Sequence, residues 1–97
     1  MHNNKTVLSG NIVKLYPLKQ TPEGLQVASF VLEHSSMQKE AKIDRTVKCR
    51  MFCLIVGVSS EQISQLEYDS ISVEGFLSQN SKAQVVLNVT KIIDKGT

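Results

Sequence analysis

Lys48, Arg50 and Phe52 occupy every second position of the run Arg45-Thr46-Val47-Lys48-Cys49-Arg50-Met51-Phe52-Cys53-Leu54-Ile55-Val56-Gly57. In an extended chain successive side chains point to opposite faces, so this spacing sets two cations and an aromatic ring in a row, with Thr46 leading. Cations attract phosphates and a ring face stacks on a base. A water-facing row of this kind is one way to build a surface for single-stranded nucleic acid. It also fits a solvated sheet face kept soluble by charge. The alternate positions, Val47, Cys49, Met51 and Cys53, read as a core face.

Other chemistries find less support. Cys49 and Cys53, four strand residues apart, would stand about 13 Å from each other, beyond the roughly 7 Å that a disulfide spans. His2 and His34 are the remaining soft ligands, too few for a zinc site of ordinary composition. The expectation is two reduced core cysteines in a reducing compartment. Glu33 and His34 have no serine partner that the sequence identifies. Gly-rich phosphate loops and Cys/His nucleophile pairs do not stand out. The chain therefore reads as a non-enzymatic protein without a metal or cofactor.

The 97 residues suit one domain spanning positions 1–97, and 41% hydrophobic with 21% charged residues is ordinary globular composition. Net charge is only +2, but it is unevenly spread. Lys39, Lys42, Arg45, Lys48 and Arg50 face only Glu40 and Asp44 in their segment. From Met51 to Ser81 there are acids (Glu61, Glu67, Asp69, Glu74) and no Lys or Arg. A basic side and an acidic side are expected. The opening Met1-His2-Asn3-Asn4-Lys5 lacks the apolar run of a secretion signal, and no apolar run approaches membrane-span length, which predicts a cytoplasmic address.

Five strand-like segments would position these side chains. The first runs from about Lys5 to Leu15, with Gly10 marking a bulge or tight bend. Tyr16 to Gly24, with Pro17 and Pro22, reads as a loop. The second strand covers about Leu25 to Ser35, and the third is the run from Arg45. Met37 to Asp44 is compatible with a helix by composition, but it lacks an apolar stripe and reads better as a hairpin tip. Ser59 with Gln62 fits a capping box opening a helix of one or two turns, with Ile63 and Leu66 as its apolar side. Asp69-Ser70 begins the return to the fourth strand, Ile71 to Ser78, bent at Gly75. A polar turn then leads to the fifth, Gln84 to Ile93. Five antiparallel strands with one short helix between the third and fourth is the order of an OB-fold, an all-β Greek-key barrel. A β-sandwich or an SH3-like barrel shares the periodicity, but glycine-bent first and fourth strands favour a small barrel.

Val7-Leu8-Ser9-Gly10, Pro17-Leu18-Lys19, Phe30-Val31-Leu32-Glu33-His34, Gln38, Glu40-Ala41 and Val73-Glu74-Gly75-Phe76 together resemble the bacterial primosomal replication protein N family, from about Thr6 to Ile93. That family is similar to the bacterial single-stranded DNA-binding proteins. The resemblance implies a homodimer of OB-folds that binds single-stranded DNA during restart of stalled replication forks. It also implies two partners, the primosomal helicase PriA and the loader protein DnaT. Lys19 stands near the family's basic residue in the first loop. Arg45 matches a position in the hairpin between the second and third strands. Lys48 occupies the place of a base-stacking tryptophan, and the chain contains no Trp. Ser35 replaces a basic residue after the Glu-His pair, and Lys82 alone represents the lysines of the last loop.

The expected DNA-contacting set is therefore Lys19, Arg45, Lys48, Arg50, Phe52 and Lys82. Phe52 either stacks on a base or packs at a dimer contact. Tyr16 either anchors its loop or touches a nucleotide. A second functional reading is a protein–protein adaptor with weak nucleic-acid binding. No residue separates DNA from RNA.

Overall fold

A computed structural model of the chain describes residues 1–67 and 70–94, which contain β1 (Thr6–Leu15), β2 (Lys19–Gln20), β3 (Gln26–Glu40), β4 (Ile43–Val56), α1 (Ser60–Gln65), β5 (Ser70–Gln79) and β6 (Val85–Asp94). Asp69, where the return to the fourth strand is expected to begin, lies outside the described residues. The long strands join in the order β1-β5-β6-β4-β3, and β3 returns to β1, closing a five-stranded barrel. Two-residue β2 pairs on β3 alongside Val27 and Gln26 and was not expected from the sequence. The helix falls where the sequence places it, after the third long strand. With β2 numbered, that position is between β4 and β5.

The expectation of wholly antiparallel pairing needs correcting. β4 and β6 run parallel, with Phe52, Cys53 and Leu54 opposite Val86, Leu87 and Asn88. The reason is topological. Directions cannot alternate all the way round a closed ring with an odd number of strands, so one seam must be parallel.

One face of each strand fills the barrel. Ala28, Phe30 and Leu32 of β3 meet Cys53 and Ile55 of β4, Ile71 and Val73 of β5, and Leu87 and Val89 of β6, with Val58 and Leu66 closing one end. Burying a side chain of Leu or Phe size contributes roughly 1.5–3 kcal/mol, so this cluster dominates the stability of the barrel. α1 covers that end. Its capping box is formed: Ser59 Oγ accepts from the Gln62 N–H at 3.2 Å, and Gln62 Oε1 accepts from the Ser59 N–H at 3.0 Å.

Two glycines permit the bends. At Gly10 a Cβ would collide with the Glu33 carbonyl, at the point where β1 leaves β5 for β3. The nearby register shift falls between Ile12 and Lys14 rather than at the glycine. At Gly75 a Cβ would collide with the Asn88 carbonyl, and the β5–β6 register shifts between Glu74 and Gly75.

β3 and β4 outrun the barrel. Their register continues to Glu40 opposite Ile43, whereas β1 pairs β3 no further than Glu33 and β6 meets β4 only from Phe52. Residues 34–49 thus form a two-stranded arm. Met37 to Asp44 is hairpin rather than helix, and its tip shrinks to Ala41-Lys42, both at positive φ (51° and 67°), as a tight two-residue turn demands. Cross-strand ion pairs hold the charged sequence extended: Arg45 with Glu40, and Lys39 with Asp44 at 3.7 Å.

Candidate nucleic-acid interface

The outward row of β4 is as the spacing implies. Lys48, Arg50 and Phe52 lie opposite Ser35, Glu33 and Val31 on one face of the β3–β4 pair. Two residues of strand separate each from the next by about 6.8 Å. Lys48 is exposed and makes no ion pair among the described residues. Arg50 differs: its Nε donates to Glu33 Oε2 at 2.8 Å, with the two side chains 70% and 42% exposed. Phe52 is half-buried, with Val86 across the parallel seam.

Arg45 does not join this row. It shares the parity of Val47 and Cys49, which sets it on the other face of the arm, paired to Glu40. Lys19 is exposed on β2, level with Val27 at the end of β3 remote from the arm tip. Lys82 sits at the tip of the β5–β6 turn, where Asn80 Oδ1 accepts from the N–H groups of Lys82 at 2.9 Å and Gln84 at 3.0 Å. That turn springs from Gln79 and Val85, one step beyond the Ser78–Val86 pair, so Lys82 lies across the seam from Phe52. The face between the second and third long strands, with the first and last loops at its rims, is the oligonucleotide-binding region of this fold class.

Lys14 is an addition that periodicity misses. Leu8, Gly10 and Ile12 alternate inward on β1, which would also turn Lys14 inward. The register shift after Ile12 sets Lys14 opposite Val31, on the outer face. Its Nζ stands 4.8 Å from the Tyr16 ring centroid, and that ring lies 5.9 Å from Phe52 at an interplanar angle of 57°.

Beneath the arm's root, Glu33, His34, Ser35, Lys48, Cys49 and Arg50 line a shallow concavity of about 440 Å³. His34 ties the arm to the barrel. The Ser9 carbonyl, 2.7 Å from Nδ1, can only accept, so Nδ1 carries the proton. Ser36 Oγ lies 2.7 Å from Nε2 and also accepts from Gln38 Nε2 at 2.9 Å.

The expectation of two core cysteines is half met. Cys53 is buried, and burial pushes its thiol up to about 12, so it stays protonated at neutral pH. Cys49 is exposed, because it lies on the arm beyond the barrel's end, where the inward parity faces no core.

Three comparisons bear on this geometry. A family model described as "Another single-strand binding protein family" matches residues 4–91. Replication restart protein PriB of Pectobacterium carotovorum is 36% identical over 101 residues, covering 96% of this chain and 95% of the relative. PriB of Vibrio cholerae is 37% identical over 95 residues, covering 92% and 95%. Among solved structures, PriB from Ralstonia solanacearum superposes with a TM-score of 0.83 at 21% identity, covering 96% of this chain and 98% of that one. A deletion mutant of the single-stranded DNA-binding protein from Thermus aquaticus gives 0.72 at 20% identity, covering 95% and 50%. These structures share the fold. The chain, matched nearly end to end, belongs to the single-strand binding protein family that includes the replication restart proteins PriB.

Proposed function

We propose that this chain is a non-enzymatic, cytoplasmic accessory protein of replication restart that binds single-stranded DNA along the outer face of β3 and β4. The observation that carries the reading is the aligned row Lys48, Arg50 and Phe52, facing water on the strand pair this fold class uses for oligonucleotides. Lys19 and Lys82 extend the basic track at the rims, and Arg45 adds charge on the arm's other face. Two copies would double a surface whose net charge per chain is only +2, and would link two weak sites into one stronger site. The family likeness supports a homodimer that bridges the primosomal helicase PriA and the loader DnaT.

The test is anisotropy of a labelled oligo-dT of about 30 nucleotides across a salt series, with duplex as control. Preference for the single strand is expected, with log K falling by about 0.7 per phosphate contact for each tenfold rise in salt. Joint replacement Lys48→Ala and Arg50→Ala should weaken binding and flatten that slope. Unchanged binding would remove this face from the reading.

One observation favours a second reading, an adaptor with weak nucleic-acid binding: Lys39, Arg45 and Arg50 are already ion-paired within the arm and its root. Capture of the helicase without DNA, combined with oligo-dT binding no tighter than duplex binding, would favour it.

A further inference from the structure

We propose that Lys14 caps the Tyr16 ring in the free protein and gives up that place to an unpaired base, its ammonium passing to the neighbouring phosphate. The inference rests on the single-stranded DNA reading above and assigns that surface its base-stacking site.

The Tyr16–Phe52 pair is built to stay in place. Phe52 is fixed in β4 between Val31 and Val86. Tyr16 precedes Pro17, which confines it to extended backbone, and its N–H donates to the Ser29 carbonyl at 3.0 Å. The ring separation of 5.9 Å lies in the range that aromatic pairs prefer. Both rings are half-buried and stand outside the core cluster, on the face that carries Arg50 and Lys48. A base docking there continues the line of cations by one step of the strand.

Lys14 occupies what such a base needs. An ammonium over a ring face is held by the ring quadrupole, weakly at an exposed site. A base brings a larger stacking area and a phosphate, which attracts the same ammonium more strongly. The exchange replaces one contact of Lys14 by another. Tyr16 is therefore covered in the free protein and stacked in the complex.

Tyr16 and Tyr68 are the chain's two tyrosines and it has no Trp, so Tyr68→Phe leaves Tyr16 as the sole emitter. Titrating that variant with unlabelled oligo-dT should quench its emission in step with the anisotropy of a labelled copy. In the same background, Lys14→Gln should retain the quenching while lowering the salt slope by about 0.7. Tyr16→Leu, which keeps an apolar contact on Phe52, should weaken binding roughly tenfold with the slope and melting temperature unchanged. Oligonucleotide binding with Tyr16 emission unaltered, or an unchanged slope in Lys14→Gln, overturns the exchange while leaving the DNA reading intact. No binding at any salt overturns both.

Discussion

Arg50 reaches the outer face already engaged by Glu33. An exposed pair of this kind is worth at most about 1 kcal/mol, so a phosphate can compete for the guanidinium, but it must also approach a carboxylate. Glu33→Gln keeps the size of the side chain, frees Arg50 and removes a negative charge from the path. Affinity for oligo-dT should rise about threefold to tenfold at low salt, with the gain shrinking as salt screens it. Equal or weaker binding by Glu33→Gln in the anisotropy assay would take Arg50 off the strand's route. The residues differ in how far the sequence reveals them. Lys48, Arg50 and Phe52 are legible because a period of two needs only that the run be a strand. The Glu33–Arg50 pair is not, since it depends on the hairpin register and hence on a two-residue turn 40 positions into the chain. Lys14 is hidden by a one-residue register shift, and the exposure of Cys49 by the point at which the barrel stops and the arm continues.

Among the elements, α1 is the most legible, because its Ser59–Gln62 box is a local signal that needs no tertiary context. The arm is the opposite case. Gln, Lys, Glu and Ala favour a helix by propensity, yet the segment stays extended through partners nine or fewer positions away on the returning strand. β2 spans too few residues to carry any period. Gly75 reads as a bend in the sequence, and the structure supplies the reason: β6 backbone occupies the space where a side chain would begin. Gly75→Ala should therefore cost about 3 kcal/mol, the upper end for overpacking, since carbonyl and Cα atoms cannot swing aside as a side chain can. In a domain of this size the melting temperature would fall by roughly 12 °C or more. A shift of a degree or two by calorimetry would mean that the β5–β6 register adapts.

For the molecule as a whole, the uneven charge seen in the sequence becomes a long axis. Lys39, Lys42 and Arg45 ride on the arm, whereas Glu61 belongs to α1 at the other end of β4, within a body 49 Å in its longest dimension. Closure of the ring was legible from the strand count and the position of the helix. The parallel join was not stated by any run of residues, because it follows from the number of strands. That join is also short, three residue pairs from Phe52–Val86 to Leu54–Asn88, against fourteen along β3–β4. Such a hoop has a clasp, and Phe52 forms part of it. A DNA strand that lies on Phe52 and reaches Lys82 crosses the clasp like a pin. Occupancy would then slow amide exchange at positions 52–54 and 86–88 more than along the arm, whereas slowing confined to the arm would mean that the strand stops short. Pinned in this way, the barrel would be sturdiest while it holds its cargo and easiest to open once the cargo has been handed on.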